Sequence, residues 1–267
     1  MAMNATVDII TAVHNGITRL ASAYFTPPFK VANITEDKKA PALHLMLMSA
    51  SPGILDGDEH AMRIELGEES FLQLHTQAYQ RLFQMKAGAS QTMEVRLRKG
   101  AAFCYLPHPS VPHALSAYRG INKIFLAGDC RLAWGEVLTC GRKLNGEVFA
   151  FSKYHSTTDL FMDDRLVLRE NVFMAPASMP LSGMGQMEGY THQASLLVMG
   201  TAWTEGGVQA MMEEYLAKQK DILYGISSGP AGSLVLRLLG HKAGQLHHIL
   251  QVIAGQLFTH QNSLHVS

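Results

Sequence analysis

Two acids and a base within one short stretch carry the most suggestive chemistry in this chain. Glu136, Arg142 and Glu147 lie in Trp134-Gly-Glu-Val-Leu-Thr-Cys-Gly-Arg-Lys-Leu-Asn-Gly-Glu-Val-Phe-Ala-Phe151. The stretch reads as strand, turn, strand. Asn145-Gly146 tolerates the positive φ of a type I′ hairpin turn, although the connection from Gly141 to Gly146 has room to be longer than two residues. Leu132, Trp134, Glu136 and Leu138 would share one face of the first strand, and Glu147, Phe149 and Phe151 one face of the second. If those faces point inward, two carboxylates sit among apolar side chains, where each needs a partner, a proton, a metal or water. The plain alternative is an ordinary ion pair from Arg142 to one of the glutamates, since structural pairs are commoner than functional ones.

Other reactive residue types are scattered. The chain has 13 His and 15 Met, and both excesses have an ordinary reading as core-edge imidazoles and gap-filling thioethers. His108 and His113 lie in the Pro-rich segment Leu106-Pro-His-Pro-Ser-Val-Pro-His113, which is extended and gives the two rings no reason to converge. His247 and His248 are adjacent on a helical pattern and point about 100° apart, a poor chelating geometry. The cysteines, Cys104, Cys130 and Cys140, form no C-x-x-C motif, which argues against a disulfide framework and a zinc knuckle. Nothing pairs Cys140 with a base. There is no nucleophile elbow, no H-E-x-x-H, no phosphate loop and no dinucleotide fingerprint. A metal-dependent hydrolase built on the histidines is the competing functional class, but the residues favour binding or scaffolding over catalysis.

The elements that would position these groups are mostly strands. Leu43–Ser49, Ala61–Leu66, Phe71–Thr76, Gln91–Leu97, Phe103–Leu106 and Ile121–Leu126 are short alternating runs, and Phe161–Leu168 reads as a hairpin turning at Asp163-Asp164. Two prolines hold Tyr24–Val31 extended. The segment 5–20 is periodic but does not decide between helix and strand. Helical stripes occur twice: Val208, Met211, Met212, Tyr215 and Leu216 in a helix running to Leu223, with Gly225 as its stop, and Leu246, Ile249, Leu250, Ile253 and Leu257. Leu234–Leu239 between them is strand-like. With no βαβ alternation, this is a mainly β chain whose hairpins could stack as layered sheets, with two helices in the C-terminal half and one domain over residues 1–267.

At 267 residues the chain can bury a sizeable core, and its net charge of +0 gives no electrostatic case for nucleic acid or an anionic membrane. The most apolar run, Leu196–Trp203, is too short to span a bilayer. The N-terminus lacks the charged and apolar regions of a signal peptide, so the cytoplasm is the expected compartment.

Several stretches, in order, resemble the UreD family of urease accessory proteins, called UreH in its gastric-bacterial branch, to which the match is close. They are Pro27–Val31, Leu43–Asp58, Thr76–Lys86, Tyr105–His113, Trp134-Gly-Glu136 through Gly141-Arg142 and Gly146-Glu147, Phe151–His155, Met184–Gln193 and Val235–Leu238, and together they span most of the chain. The resemblance implies a stacked-sheet, solenoid-like β body with two helices and no enzymatic activity. It implies a scaffold that binds UreF directly in a two-to-two complex, engages the GTPase UreG through UreF, and delivers nickel to the urease apoprotein. Nickel(II) would be cargo in transit, with no tightly bound cofactor, moving along an internal polar route. A pure interaction scaffold without a metal role is the further alternative.

By position, the resemblance assigns Asp58, His75, Glu136, Glu147 and Glu170 to that transient nickel route, with Arg142 as an ion-pair residue. Asp58 ends the family's Gly-Gly-Asp element, written here Asp56-Gly57-Asp58; the extra acid at Asp56 would add a ligand or cap a turn. The family's Thr-Thr pair is His75-Thr76 here. Oxygen and imidazole donors suit nickel(II), and transit calls for scattered single ligands over a closed cage. Met184, Met187, Tyr190 and His192, with Met211 and Tyr215, are the expected partner-binding surface. Such Met-rich apolar surface would promote aggregation when uncovered.

Overall fold

Period-two alternation dominates the chain and is realised as strands. The computed structural model describes residues 2–200 and 207–259. In chain order the strands are β1 (Asn4–His14), β2 (Ile17–Phe25), β3 (Phe29–Asn33), β4 (Ala42–Ser49), β5 (Glu59–Leu66), β6 (Phe71–Thr76), β7 (Gln80–Leu82), β8 (Ala89–Leu97) and β9 (Ala102–Tyr105). They continue as β10 (Ser110–Pro112), β11 (Ala117–Leu126), β12 (Arg131–Thr139), β13 (Lys153–Met162), β14 (Arg165–Met174) and β15 (His192–Met199). Helix α1 (Val208–Leu216), β16 (Ile222–Ser228), β17 (Leu234–Gly240) and helix α2 (Ala243–Thr259) complete it.

One sheet has the order β14-β13-β11-β8-β5-β1-β2 and the other β16-β17-β15-β12-β9-β6-β4-β3, with β7 and β10 attached at its side. Between β4 and β13 the long strands alternate between the sheets: β5, β8, β11 and β13 pair in parallel in one, and β4, β6, β9 and β12 in parallel in the other. The layers therefore arise from successive circuits of the chain, not from stacked hairpins. Antiparallel pairs lie toward the sheet margins, as in β1 with β2, β3 with β4, and β13 with β14. The segment left open between helix and strand is the β1–β2 hairpin, turning through Asn15 and Gly16 at positive φ. Asp163 and Asp164 do the same between β13 and β14, as expected. Every second residue of these strands faces the other sheet, and Leu45, Ile64, Leu74, Val95, Phe103 and Leu132 interdigitate there in the main core.

Two expectations fail for physical reasons. Residues 134–151 are not a hairpin. Strand β12 has β9 on one edge and β15 on the other, so no edge is free for a returning strand; Lys143–Asn145 forms a 3-10 turn and residues 147–151 lie in a loop. Helix α1 stops at Leu216, well short of Gly225, because residues 222–228 are taken into the larger sheet as edge strand β16 against β17.

The α2 stripe is as expected. Leu246, Ile249, Leu250, Ile253 and Leu257 are buried against Ala133 and Val137 of β12, Leu196 of β15 and Leu236 of β17. Gly135 permits this contact, since a Cβ there would lie 2.6 Å from Leu106 Cδ2 and 3.0 Å from Leu250 Cδ1. Ile253 is 0% exposed, and Ile253→Ala is expected to cost about 2–5 kcal/mol, read as a lower urea midpoint at unchanged slope. Among the described residues no helix is long and apolar enough to cross a membrane. The apolar run from Leu196 is strand to Met199, and its end, Thr201–Trp203, lies outside the described residues.

Candidate functional site

Parallel pairing places equivalent residues of successive circuits side by side, and at one level of the seven-stranded sheet this gathers polar groups inside. His60, Gln91, Gly120 and Ser156 are in register across β5, β8, β11 and β13. The next inward level is Met62, Met93, Asn122 and Thr158, and on the opposite side Tyr118 faces Tyr154. From the other sheet β9 brings Tyr105 and β12 brings Trp134 and Glu136. All of these except Met93 and Thr158 line a cavity of about 430 Å³ between the sheets. Its lining includes Tyr79, which is 43% exposed, so the cavity reaches the surface there.

Among the described residues, Glu136 is the one carboxyl group on the lining of this space. Its Oε1 accepts hydrogen bonds from Asn122 Nδ2 at 3.1 Å, Trp134 Nε1 at 3.2 Å and Thr158 Oγ1 at 3.3 Å, and its Oε2 accepts one from Ser156 Oγ at 3.2 Å. All four donors are neutral. Enclosure by protein pushes the carboxyl's pKa up, and Glu170 nearby adds to this, while the Trp134, Ser156 and Thr158 donors pull it down. Burial, together with the Glu136 charge, raises the pKa of Tyr118 and Tyr154 and keeps their hydroxyls protonated. Glu136 also lines a second small space of about 10 Å³ with Leu138, Gln193 and Ser195, so it borders both, as does Tyr154. That second space holds roughly one water.

His60, also on the lining, is buried with neither ring nitrogen hydrogen-bonded among the described residues. Its ring meets Phe29 edge-on at 4.9 Å, its Nε2 is 3.8 Å from Asp58 Oδ2, and burial holds its pKa below the ordinary value.

Of the five acids and imidazoles expected along a route, only Glu136 lines this cavity. Asp58 is fully buried, but its carboxylate clamps backbone, accepting from Met3 N at 2.9 Å and Leu55 N at 2.8 Å. Asp56 caps a turn, accepting from the backbone N–H groups of Lys86, Ala87 and Gly88 at 2.8–3.0 Å. Glu147 sits in the loop after β12, paired with Arg142 (Nε to Oε2 2.9 Å) and accepting Ala114 N at 3.0 Å. Arg142 therefore pairs with Glu147 and makes no hydrogen bond to Glu136. Glu170 on β14 pairs with Arg237 at 2.8 Å. His75 faces away from the cavity, on the outer side of the larger sheet, beside His44.

The expected partner surface is divided. Met184 is 95% exposed, whereas Met187 and His192 are buried in the chain's own core and present no surface. Tyr190 lies against His241 with the rings tilted by 30°, and Met211 and Tyr215 are half-buried against the core under α2. His113 packs edge-on against Phe83, while His108 contacts Tyr79 and His247. The three cysteines are free and buried, and burial pushes the Cys104 thiol up to about 12. Among the described residues no three His, Cys, Asp or Glu side chains converge to hold a metal ion.

The sequence reading missed His60, Tyr105, Asn122, Tyr154 and Ser156. The available signal was a polar or small residue at an inward position of an otherwise apolar strand: Gly120 and Asn122 in β11, Ser156 and Thr158 in β13.

A family model described as UreD urease accessory protein matches residues 3–265. Curated relatives share this length. A urease accessory protein UreD from Flavobacterium johnsoniae is 40% identical over 262 residues, covering 97% of this chain and 94% of the relative. One from Actinobacillus pleuropneumoniae serotype 3 is 34% identical, with 93% and 94% covered, and one from Acetivibrio thermocellus is 32% identical, with 92% and 94% covered.

Proposed function

The chain belongs to the UreD family of urease accessory proteins, and on that premise we propose that it is a scaffold of urease maturation that carries nickel(II) through its interior. The accessory role is non-catalytic. The scaffold binds UreF directly, reaches the GTPase UreG through UreF, and docks on the urease apoprotein.

One observation carries the internal route: a carboxylate enclosed between the sheets, held by four neutral donors, on a residue that borders two cavities. An ionised carboxylate in that setting attracts a cation strongly, because little solvent screens it. Carboxylate, hydroxyl and amide oxygens and the His60 imidazole are donors a hydrated nickel(II) ion accepts. Single ligands spaced along a wall suit passage, since a closed cage would retain the ion. The lack of a convergent three-ligand cluster among the described residues fits a conduit and fits a scaffold without metal equally well.

The role is tested by mixing the chain with UreF, UreG, urease apoprotein and Ni²⁺, and following both co-elution and urease activity. Co-elution with UreF and activity dependent on the chain are expected. Separate elution, or activation of equal extent without the chain, overturns the scaffold. Full activation by a chain whose Glu136 is neutral leaves the scaffold standing and removes the interior route.

A further inference from the structure

On the outer face of the larger sheet, away from the cavity, β4 and β6 bring two imidazoles together. His44 Nδ1 lies 3.3 Å from His75 Nε2, with the rings within 9° of parallel and their centroids 5.5 Å apart. Neither ring has another hydrogen-bond partner among the described residues, and both residues are half-buried. Two nitrogens bound to one metal at about 2.0–2.1 Å in tetrahedral geometry stand about 3.3 Å apart, so the spacing that serves an N–H···N bond also fits a shared ion. Burial holds both rings below the ordinary imidazole pKa, which favours the neutral imidazole, the form that binds a metal. The surroundings are favourable to a cation. Glu36 lies close enough to His44 to act on it electrostatically, His108 lies close to His75, and the thioether residue Met46 is the register partner of His75 on β4.

We propose that His44 and His75 form a two-imidazole site for one divalent late transition-metal ion, such as Ni²⁺ or Zn²⁺, with water completing the coordination. With two protein ligands the ion is held weakly and exchangeably. The alternation of β4 explains why the pair forms: Leu43, Leu45 and Leu47 face the core, which turns His44 and Met46 outward, and the β4–β6 register sets His75 beside Met46. Neither His44 nor His75 lines the cavity, so the site stands or falls separately from the interior route.

The test is calorimetric titration of the full-length chain with Ni²⁺ alone. A site is expected whose affinity falls by about tenfold or more in His44→Gln and in His75→Gln and is unchanged in Glu214→Gln, an exposed acid paired with Lys218 away from both the pair and the cavity. Unchanged affinity in the double variant overturns the site, as does binding lost only in Glu136→Gln, which puts the ion in the cavity. Circular dichroism checks the fold of each variant. Should either histidine variant unfold, the wild-type chain decides: Ni²⁺ is expected to broaden the His44 and His75 imidazole resonances first, and broadening that begins elsewhere overturns the proposal.

Discussion

Replacing Glu136 by glutamine is expected to yield a chain that is more stable at neutral pH and less able to support urease activation. The substitution keeps the shape of the site. A glutamine oxygen in place of Oε1 retains the Asn122, Trp134 and Thr158 donors, and the new amide nitrogen can donate to Ser156 Oγ, a hydroxyl free to turn and accept. What disappears is the cost of enclosing a negative charge, which in proteins amounts to one to several kcal/mol when the compensation comes from neutral dipoles alone. Each kcal/mol corresponds to about 2–4 °C in melting temperature for a chain of this size.

The pH dependence follows from the direction of the shift. The folded-state pKa of Glu136 is raised above the ordinary 4.5, so the folded chain holds this proton more tightly than the unfolded chain does. The penalty is absent below the unfolded value and grows as pH rises through the folded value. Wild type and Glu136→Gln should therefore melt close together in mild acid and diverge toward neutrality, the variant being the more stable. Melting curves across that range, with urease activity measured on the same preparations, give the two readouts. A variant that melts lower at neutral pH shows that the charge is not costly to the fold. A variant that melts higher and activates urease fully shows that the charge serves no route.

Glu136 also illustrates which parts of the fold the sequence could reveal. Alternation is a local property, and the inner and outer faces of β4, β5, β6, β8 and β11 follow from it directly, as does the stripe of α2. Turn chemistry is local too, which is why Asp163-Asp164 reads correctly. Parallel register is not local. The cavity exists because His60, Gln91 and Ser156, far apart in sequence, fall on one level of successive circuits opposite Glu136. No short window contains that information. The hairpin read into residues 134–151 failed for the same reason, since the edge it needed is occupied by β15, whose first residue is His192. The resemblance supplied the family, and the relatives' length and identity agree with it. Position alone did not separate acids that line a space from acids that clamp backbone, and Asp58, Glu147 and Glu170 prove to have partners of their own.

Within the Gly141-Arg142 and Gly146-Glu147 element, the first glycine should matter more to stability than the ion pair. Gly141 adopts φ 119°, a left-handed conformation that disfavours any side chain. A Cβ at this position would lie 2.9 Å from Pro112 O and 3.0 Å from Glu147 O, both backbone atoms that cannot swing aside. Gly141→Ala therefore forces apart the loop after β12 and the segment around Pro112. It would thereby strain the bond from Ala114 N to Glu147 and the 2.7 Å bond from Phe149 N to Cys140 O, which anchor the loop. A cost of about 2–4 kcal/mol is expected, combining conformational strain with the lost anchors. Arg142→Ala removes only a partner whose side chain is 41% exposed, and pairs of that kind contribute about 0–1 kcal/mol. Urea denaturation of the two variants beside wild type measures the difference. Equal small losses would mean that the loop accommodates a methyl group by a shift absent from this conformation. A large loss at Arg142 alone would mean that the pair with Glu147 holds the loop to the body of the fold, with Gly141 secondary to it.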